Sequence, residues 1–128
     1  MSYTFGKTID KPFDEAVGYV TDKLKSEGFG VLTEIDVKAT LKKKLDADFR
    51  NYKILGACNP PFAYKALQAE PLIGAMLPCN VIVQDTDDGK VRVDAVDPVA
   101  SMSSVENATL GEVAATVQQK LKNVIHSL

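Results

Sequence analysis

Two cysteines that lie next to prolines are the residues of this sequence best suited to chemistry. Cys58 opens a Cys-Asn-Pro-Pro segment, and Cys79 ends a Leu-Pro-Cys segment. Pro61 can occupy the first turn of a helix, which would place Cys58 just before a helix N-terminus. The partial positive charge at such an end stabilises a thiolate and lowers the pKa of a thiol. Cys58 is therefore the preferred candidate for a nucleophile or a ligand.

How close the two cysteines lie depends on the pairing of the strands that carry them. Cys58 follows the third predicted strand, and Cys79 begins the fourth. Antiparallel pairing would bring both thiols to the same edge of the sheet, whereas parallel pairing would place them at opposite ends. The sequence is rich in hairpin patterns, which favour antiparallel pairing. We therefore expect the two cysteines to be neighbours.

Neighbouring cysteines permit three functional uses. They could cycle between a dithiol and a disulfide if their Cα atoms lie within about 7 Å. They could bind a soft metal if a two-fold dimer supplied four thiols. One thiolate could also anchor a small molecule in a pocket beside Asn59 and Tyr64. Alternatively, Cys58 and Cys79 are small buried side chains with a structural role, because free cysteine is among the most buried residue types.

Three other side chains are of types that could contribute to a site. Asp36 and Asp97 each stand at a strand end before a helix-like start, so both are expected to be N-caps. Both are also candidates for a polar rim along one edge of the sheet. His126 is the only histidine and lies near the C-terminus, where helix ends fray, so a Cys–His catalytic pair is not expected.

The elements that must position these residues follow from hydrophobic periodicity. Alternating or β-branched segments predict five strands at 3–9, 30–35, 52–57, 79–84 and 90–96. Apolar spacing predicts helices at 13–24, 37–45, 61–67 and 108–126, with an irregular stretch over 97–106. In the second helix, Leu41 and Leu45 are expected to hold the helix to the protein. The order predicts an α+β fold: a mostly antiparallel sheet with long helices on one face.

Composition and charge narrow the class of protein. The 128 residues, 45% hydrophobic and 25% charged, are typical of a single globular domain over 1–128. A net charge of −2 argues against nucleic acid as a partner. The sequence has no apolar run of the ~18 residues that a membrane span needs, and its start does not resemble a signal peptide. We therefore expect a cytoplasmic location, no membrane association and reduced cysteines.

Several segments together resemble the family called domain of unknown function 302. These segments are Gly28-Phe29-Gly30, Glu34-Ile35-Asp36, Tyr52-Lys53-Ile54-Leu55-Gly56, Cys58-Asn59-Pro60, Leu77-Pro78-Cys79 and Asp97-Pro98. The resemblance covers nearly the whole chain. It implies a β-α-β4-α arrangement, similar to the TATA-box-binding-protein-like fold class, and a homodimer. It supplies no reaction, substrate or cofactor, so no catalytic residue is carried over from it.

The residues and the resemblance lead to one preferred function and two alternatives. The preferred prediction is a cytoplasmic domain that binds a small ligand or carries out thiol redox chemistry around Cys58, Asn59 and Cys79. The first alternative is a structural or protein-interaction homodimer with buried cysteines and no catalytic activity. The second is an enzyme of unidentified class with Cys58 as its nucleophile.

Overall fold

A five-stranded antiparallel sheet forms the centre of the protein. The structure, a computed structural model, describes residues 2–128. The strands lie in the order β1-β5-β4-β3-β2, and every neighbouring pair is antiparallel. Their bounds are β1 (Thr4–Ile9), β2 (Gly30–Asp36), β3 (Tyr52–Cys58), β4 (Cys79–Asp85) and β5 (Val91–Val96). The predicted antiparallel pairing of the third and fourth strands is confirmed.

Two long helices cover one face of this sheet. The helices are α1 (Phe13–Ser26), α2 (Val37–Leu45), α3 (Pro60–Ala69), α4 (Pro98–Ser101) and α5 (Ala108–Ser127), with a 3₁₀ helix over Pro71–Met76. Helices α1 and α5 pack against each other and against the central strands, and α3 packs against α5. The predicted α+β class with long helices on one face is therefore confirmed. Within residues 2–128, no helix combines the length and apolar character needed to cross a bilayer.

The alternation of side chains in β4 and β5 explains which face the helices cover. Val81 and Val83 on β4 and Val93 on β5 are completely buried under the helices. The residues between them point to the open face, where Arg92 binds Asp94 through two hydrogen bonds of 2.9 and 3.0 Å. Burying an aliphatic side chain of this size contributes roughly 1.5–3 kcal/mol. The alternation of apolar and polar residues therefore predicts the strands and also the face of the sheet that the helices cover.

Two segments differ from what the sequence predicts. The stretch predicted as irregular contains the short helix α4, because Asp97 accepts hydrogen bonds from the N–H groups of Val99 and Ala100 and so caps it. In α2, no residue is buried, and Leu45 is 71% exposed. The expectation that Leu45 holds α2 to the protein is wrong, because α2 lies beside the edge strand β2, where no further layer covers it.

Candidate functional site

The pairing of β3 with β4 makes Cys58 and Cys79 neighbours. Ala57 lies directly opposite Cys79, and Cys58 is the next residue along β3. Successive side chains of a strand point to opposite faces of the sheet, so the two cysteine side chains leave the sheet in different directions, although both residues border the same cavity. A disulfide needs Cβ atoms that point toward each other. Closing one between these residues would therefore require the backbone to move.

Both cysteines border a cavity of about 330 Å³ between the helices and the ends of β3 and β4. Nearly all of the surface that lines it is apolar, and no Asp, Glu, Lys, Arg or His is among the lining residues. The cavity reaches the protein surface beside Leu32 and Leu67, which line it and are 67% and 42% exposed. The other lining residues are Phe29, Ala57, Asn59, Phe62, Ala63, Ala66, Gly74, Leu77, Pro78, Pro98, Met102, Val113, Ala114 and Val117.

Small side chains explain why space remains here. Five of the lining residues have no side-chain atom beyond Cβ: Ala57, Ala63, Ala66, Gly74 and Ala114. They come from β3, α3, the 3₁₀ helix and α5. Protein interiors contain few voids larger than a water molecule, whereas ligand pockets begin at about 300 Å³. The cavity therefore has the size and lining of a small-molecule site.

The segment before Cys79 packs closely against the backbone of β3 at Gly56. Gly56 on β3 faces Pro78, and a Cβ atom placed on Gly56 would come within 2.9 Å of Pro78 Cγ. Only glycine therefore lets the segment before β4 lie this close to β3. Leu77 and Pro78 of this segment both line the cavity.

Cys79 is the more deeply buried of the two cysteines. Burial, and to a smaller extent the nearby Cys58, raises the pKa of the Cys79 thiol to about 11. The reason is that the thiolate would lose its hydration in an apolar environment. Cys79 is thus a neutral thiol at pH 7 and is poorly suited to attack a substrate or to bind a metal.

Cys58 is half-buried, and it directly precedes the N-cap of α3. Pro60 and Pro61 carry no N–H group, and the N–H groups of Phe62 and Ala63 donate to the carbonyl of Asn59 at 3.1 and 2.9 Å. The first turn of α3 therefore offers no free donor that could bind a thiolate. The same prolines that predict the helix start remove the hydrogen bonds on which an activated Cys58 would depend.

Asn59 and Tyr64 are both predicted to lie beside the thiols, but only Asn59 lines the cavity. Asn59 is 8% exposed, lines the cavity, and donates a hydrogen bond from Nδ2 to the carbonyl of Glu27 at 3.1 Å. Tyr64 is 66% exposed and does not line the cavity. The prediction that Tyr64 borders the pocket is wrong, because the apolar face that α3 turns toward the cavity carries Ala63 and Ala66 instead.

The two predicted caps lie at opposite ends of the sheet. Asp36 caps α2 through Ala39 at 2.9 Å and is six residues along β2 from Gly30, the residue opposite Cys58. At about 3.3 Å per residue this is roughly 20 Å. Asp97 follows β5 at the cavity end, next to Pro98 in the cavity wall. The idea that both aspartates form one polar rim is therefore wrong for Asp36.

The residues needed for a metal centre or a Cys–His pair do not converge in the described part of the chain. Across residues 2–128, no three His, Cys, Asp or Glu side chains lie close enough to hold a metal ion. His126 lies nine residues beyond Val117, the last cavity residue on α5. That separation is roughly 13 Å along a helix. The histidine is therefore out of reach of either thiol.

Sequence reasoning missed the helical wall of the cavity. Phe62, Ala63 and Ala66 on α3 face Val113 and Val117 on α5 across it. Periodicity predicts that such residues point inward, but it does not tell whether their side chains meet. The one available signal was the alanine spacing in α3, since small residues on an inward face leave volume unfilled.

The fold and the cavity define the class of protein: an α+β domain with an apolar, ligand-sized space between the helices and one end of the sheet. The model of the family Domain of unknown function DUF302 matches residues 5–128, and the chain belongs to this family. The chain is similar to the crystal structure of an uncharacterized conserved protein DUF302 from Bacillus stearothermophilus, with 27% identity, a TM-score of 0.91 and 98% coverage of each chain. No curated protein matches the chain.

Proposed function

We propose that this protein binds a small, mostly apolar molecule in the cavity between α3, α5 and the ends of β3 and β4. The observation that carries the proposal is a space of about 330 Å³ with an almost wholly apolar lining in a chain of this size. The side chains that line such a space lack neighbours on one side, and a ligand that fills the space supplies the missing contacts. The exposed Leu32 and Leu67 mark the side from which the molecule enters.

The thiol-based and enzymatic alternatives have less support than simple binding. Cys79 is a neutral, buried thiol, and Cys58 has no free N–H donor beside it in α3. A redox pair would also need the two side chains to turn toward each other. The role that best fits Cys58 is a contact residue at the polar end of the cavity.

The proposal is tested by titrating isotope-labelled protein with 2-methylnaphthalene and following its amide NMR signals. We expect saturable shifts in residues that border the cavity, with Ala66, Cys79 and Val117 among them. Ala66→Leu places three further carbon atoms in the cavity and should abolish the shifts. The matched control is Ala115→Leu on the exposed side of α5, which should bind as the wild type does. Equal binding by Ala66→Leu and the wild type would refute the proposed site.

We also propose that two copies associate through the surface formed by β2 and α2. Among residues 2–128, strand β2 pairs only with β3, so the backbone groups along its other edge take part in no strand pairing. Ile35 and Leu45 on these two elements are 48% and 71% exposed. An unpaired edge with exposed apolar side chains is a template for pairing with another strand.

Light scattering on the wild type and on Leu45→Lys tests this association. We expect a dimeric wild type and a shift of Leu45→Lys toward the monomer, because a lysine at the interface must lose its hydration. Leu72→Lys is the control, since Leu72 is 82% exposed and belongs to the 3₁₀ helix, not to β2 or α2. A wild type that is monomeric at micromolar concentration would exclude the dimer.

A further inference from the structure

Asn59 is the one polar amide in the wall of the apolar cavity. It is the N-cap of α3, yet its side chain makes no capping hydrogen bond. Because the first two residues of α3 are prolines, the usual donors for a capping oxygen are missing or already used. The amide is instead held in place from the other side, by the carbonyl of Glu27. The side-chain amide of Asn59 therefore does not cap the helix.

The bond to Glu27 fixes which way the amide of Asn59 points. A carbonyl only accepts hydrogen bonds, so the atom facing Glu27 must be Nδ2. Oδ1 is left as an acceptor that receives no hydrogen bond from the described residues. No fully buried side-chain nitrogen or oxygen within residues 2–128 is without a partner, so Oδ1 keeps some accessible surface. Asn59 thus presents an oriented, unused acceptor in a residue that lines the cavity.

From this arrangement we infer that the ligand is uncharged and carries a hydroxyl or N–H group that donates to Asn59 Oδ1, while the rest of the molecule is hydrocarbon. The inference rests on the proposed binding function and specifies the ligand class. Asn59 is 8% exposed, so its free acceptor favours a ligand with a matching donor and disfavours a ligand without one, because the oxygen would lose water and gain no partner. A charged ligand is disfavoured, since no side chain of opposite charge lines the cavity to offset its desolvation.

The ligand class is tested with three probes of nearly equal size: 2-naphthol, 2-methylnaphthalene and 2-naphthoate. Dissociation constants are measured by NMR titration or calorimetry at a pH where the naphthol is neutral. We expect 2-naphthol to bind about fivefold more tightly than 2-methylnaphthalene, the ratio typical of one neutral hydrogen bond. We expect 2-naphthoate to bind most weakly. Asn59→Leu should remove the preference for the naphthol, and Asn80→Leu, which removes an exposed amide, should keep it.

The outcomes separate this inference from the function on which it rests. Binding of neither neutral probe would refute the cavity as a ligand site. Equal binding of 2-naphthol and 2-methylnaphthalene to the wild type would retain the site and overturn the role of Asn59. Tightest binding by 2-naphthoate would also overturn it, in favour of an anionic ligand. The wild-type comparison needs no variant, so the inference is tested even if Asn59→Leu does not fold.

Discussion

The helical layer of this protein is closely packed on the sheet under α1 and leaves a cavity under α3. Helix α1 contributes Ala16, Val20 and Leu24 to the core, each with no exposed surface. Helix α3 contributes only one buried residue, Ala66, and leaves about 330 Å³ open between itself, α5 and the sheet. Both helices lie on the same side of the sheet.

Side-chain size, more than architecture, distinguishes the packed core from the proposed binding site in this fold. Under α1, leucine and valine pack against β4, whose Val81 and Val83 are completely buried. Under α3, alanines meet Ala57 on β3 and Ala114 on α5. Opposing small residues leave volume that no neighbour fills, because interiors are packed by the contacts that side chains make. The packed region stabilises the fold and the open region is available to a ligand.

The largest expected effect comes from deleting a leucine in the packed region. Leu24→Ala should lower the free energy of unfolding by about 3 kcal/mol, because it removes buried surface and leaves a new void. Leu67→Ala, at the border of the cavity, should cost less than about 1 kcal/mol, since Leu67 is already 42% exposed. Both values are measured by urea denaturation. Equal losses would mean that the two regions are equally well packed.

The ionisation of Cys79 tests whether the open region is dry. Burial raises its pKa from the ordinary 9.0 to about 11. Below pH 9 the thiol is neutral in both the folded and the unfolded chain, so the stability it contributes is fully present. Between pH 9 and 11 the unfolded chain ionises first, and about 2–3 kcal/mol is lost as the pH rises.

The measurement compares the stability of the wild type and Cys79→Val from pH 7 to 11. Subtracting the stability of the variant from that of the wild type cancels the contribution of other groups that titrate in this range. One of these groups is Lys53, whose pKa is raised mainly by its hydrogen bond to Glu34. We expect the wild type to lose stability relative to the variant above pH 9. Parallel curves for the two proteins would indicate a hydrated thiol and a wet cavity.

A pair of matched insertions compares the two regions directly. Ala16→Leu adds carbon atoms to a filled core and should cost about 1–3 kcal/mol, because neighbours must shift to accept them. Ala66→Leu adds the same atoms beside the cavity and should cost nothing or stabilise the protein. The two alanines are 0% and 2% exposed, so burial does not confound the comparison. Thermal unfolding of both variants gives the answer, and a larger loss for Ala66→Leu would contradict the account.

The smallest expected effect distinguishes the two aspartate caps. Asp36→Ala and Asp97→Ala each remove a cap and should each cost about 1 kcal/mol. Only Asp97→Ala should also weaken binding of 2-methylnaphthalene, because α4 places Pro98 and Met102 in or beside the cavity wall. Asp36 lies at the other end of β2 and serves as the control. Equal effects on binding would show that the cavity responds to global stability alone.

The sequence predicts the architecture well and the site only in part. The alternation in β4 and β5 and the apolar stripe of α5 are local patterns, so they are readable without a structure. The neighbouring cysteines also follow from topology. The cavity does not, because it depends on which small residues of α3, α5 and β3 face one another in space. The orientation of the Asn59 amide likewise depends on Glu27, far away along the chain.

The most direct test of the unfilled cavity is a crystal structure of the protein equilibrated with xenon under pressure. Dry apolar cavities bind xenon, so a xenon atom is expected between Ala66 of α3, Val117 of α5 and Cys79 of β4. The same crystal of Ala66→Leu should show less xenon at that position. Side chains that meet across this space and leave no room for the gas would contradict the account.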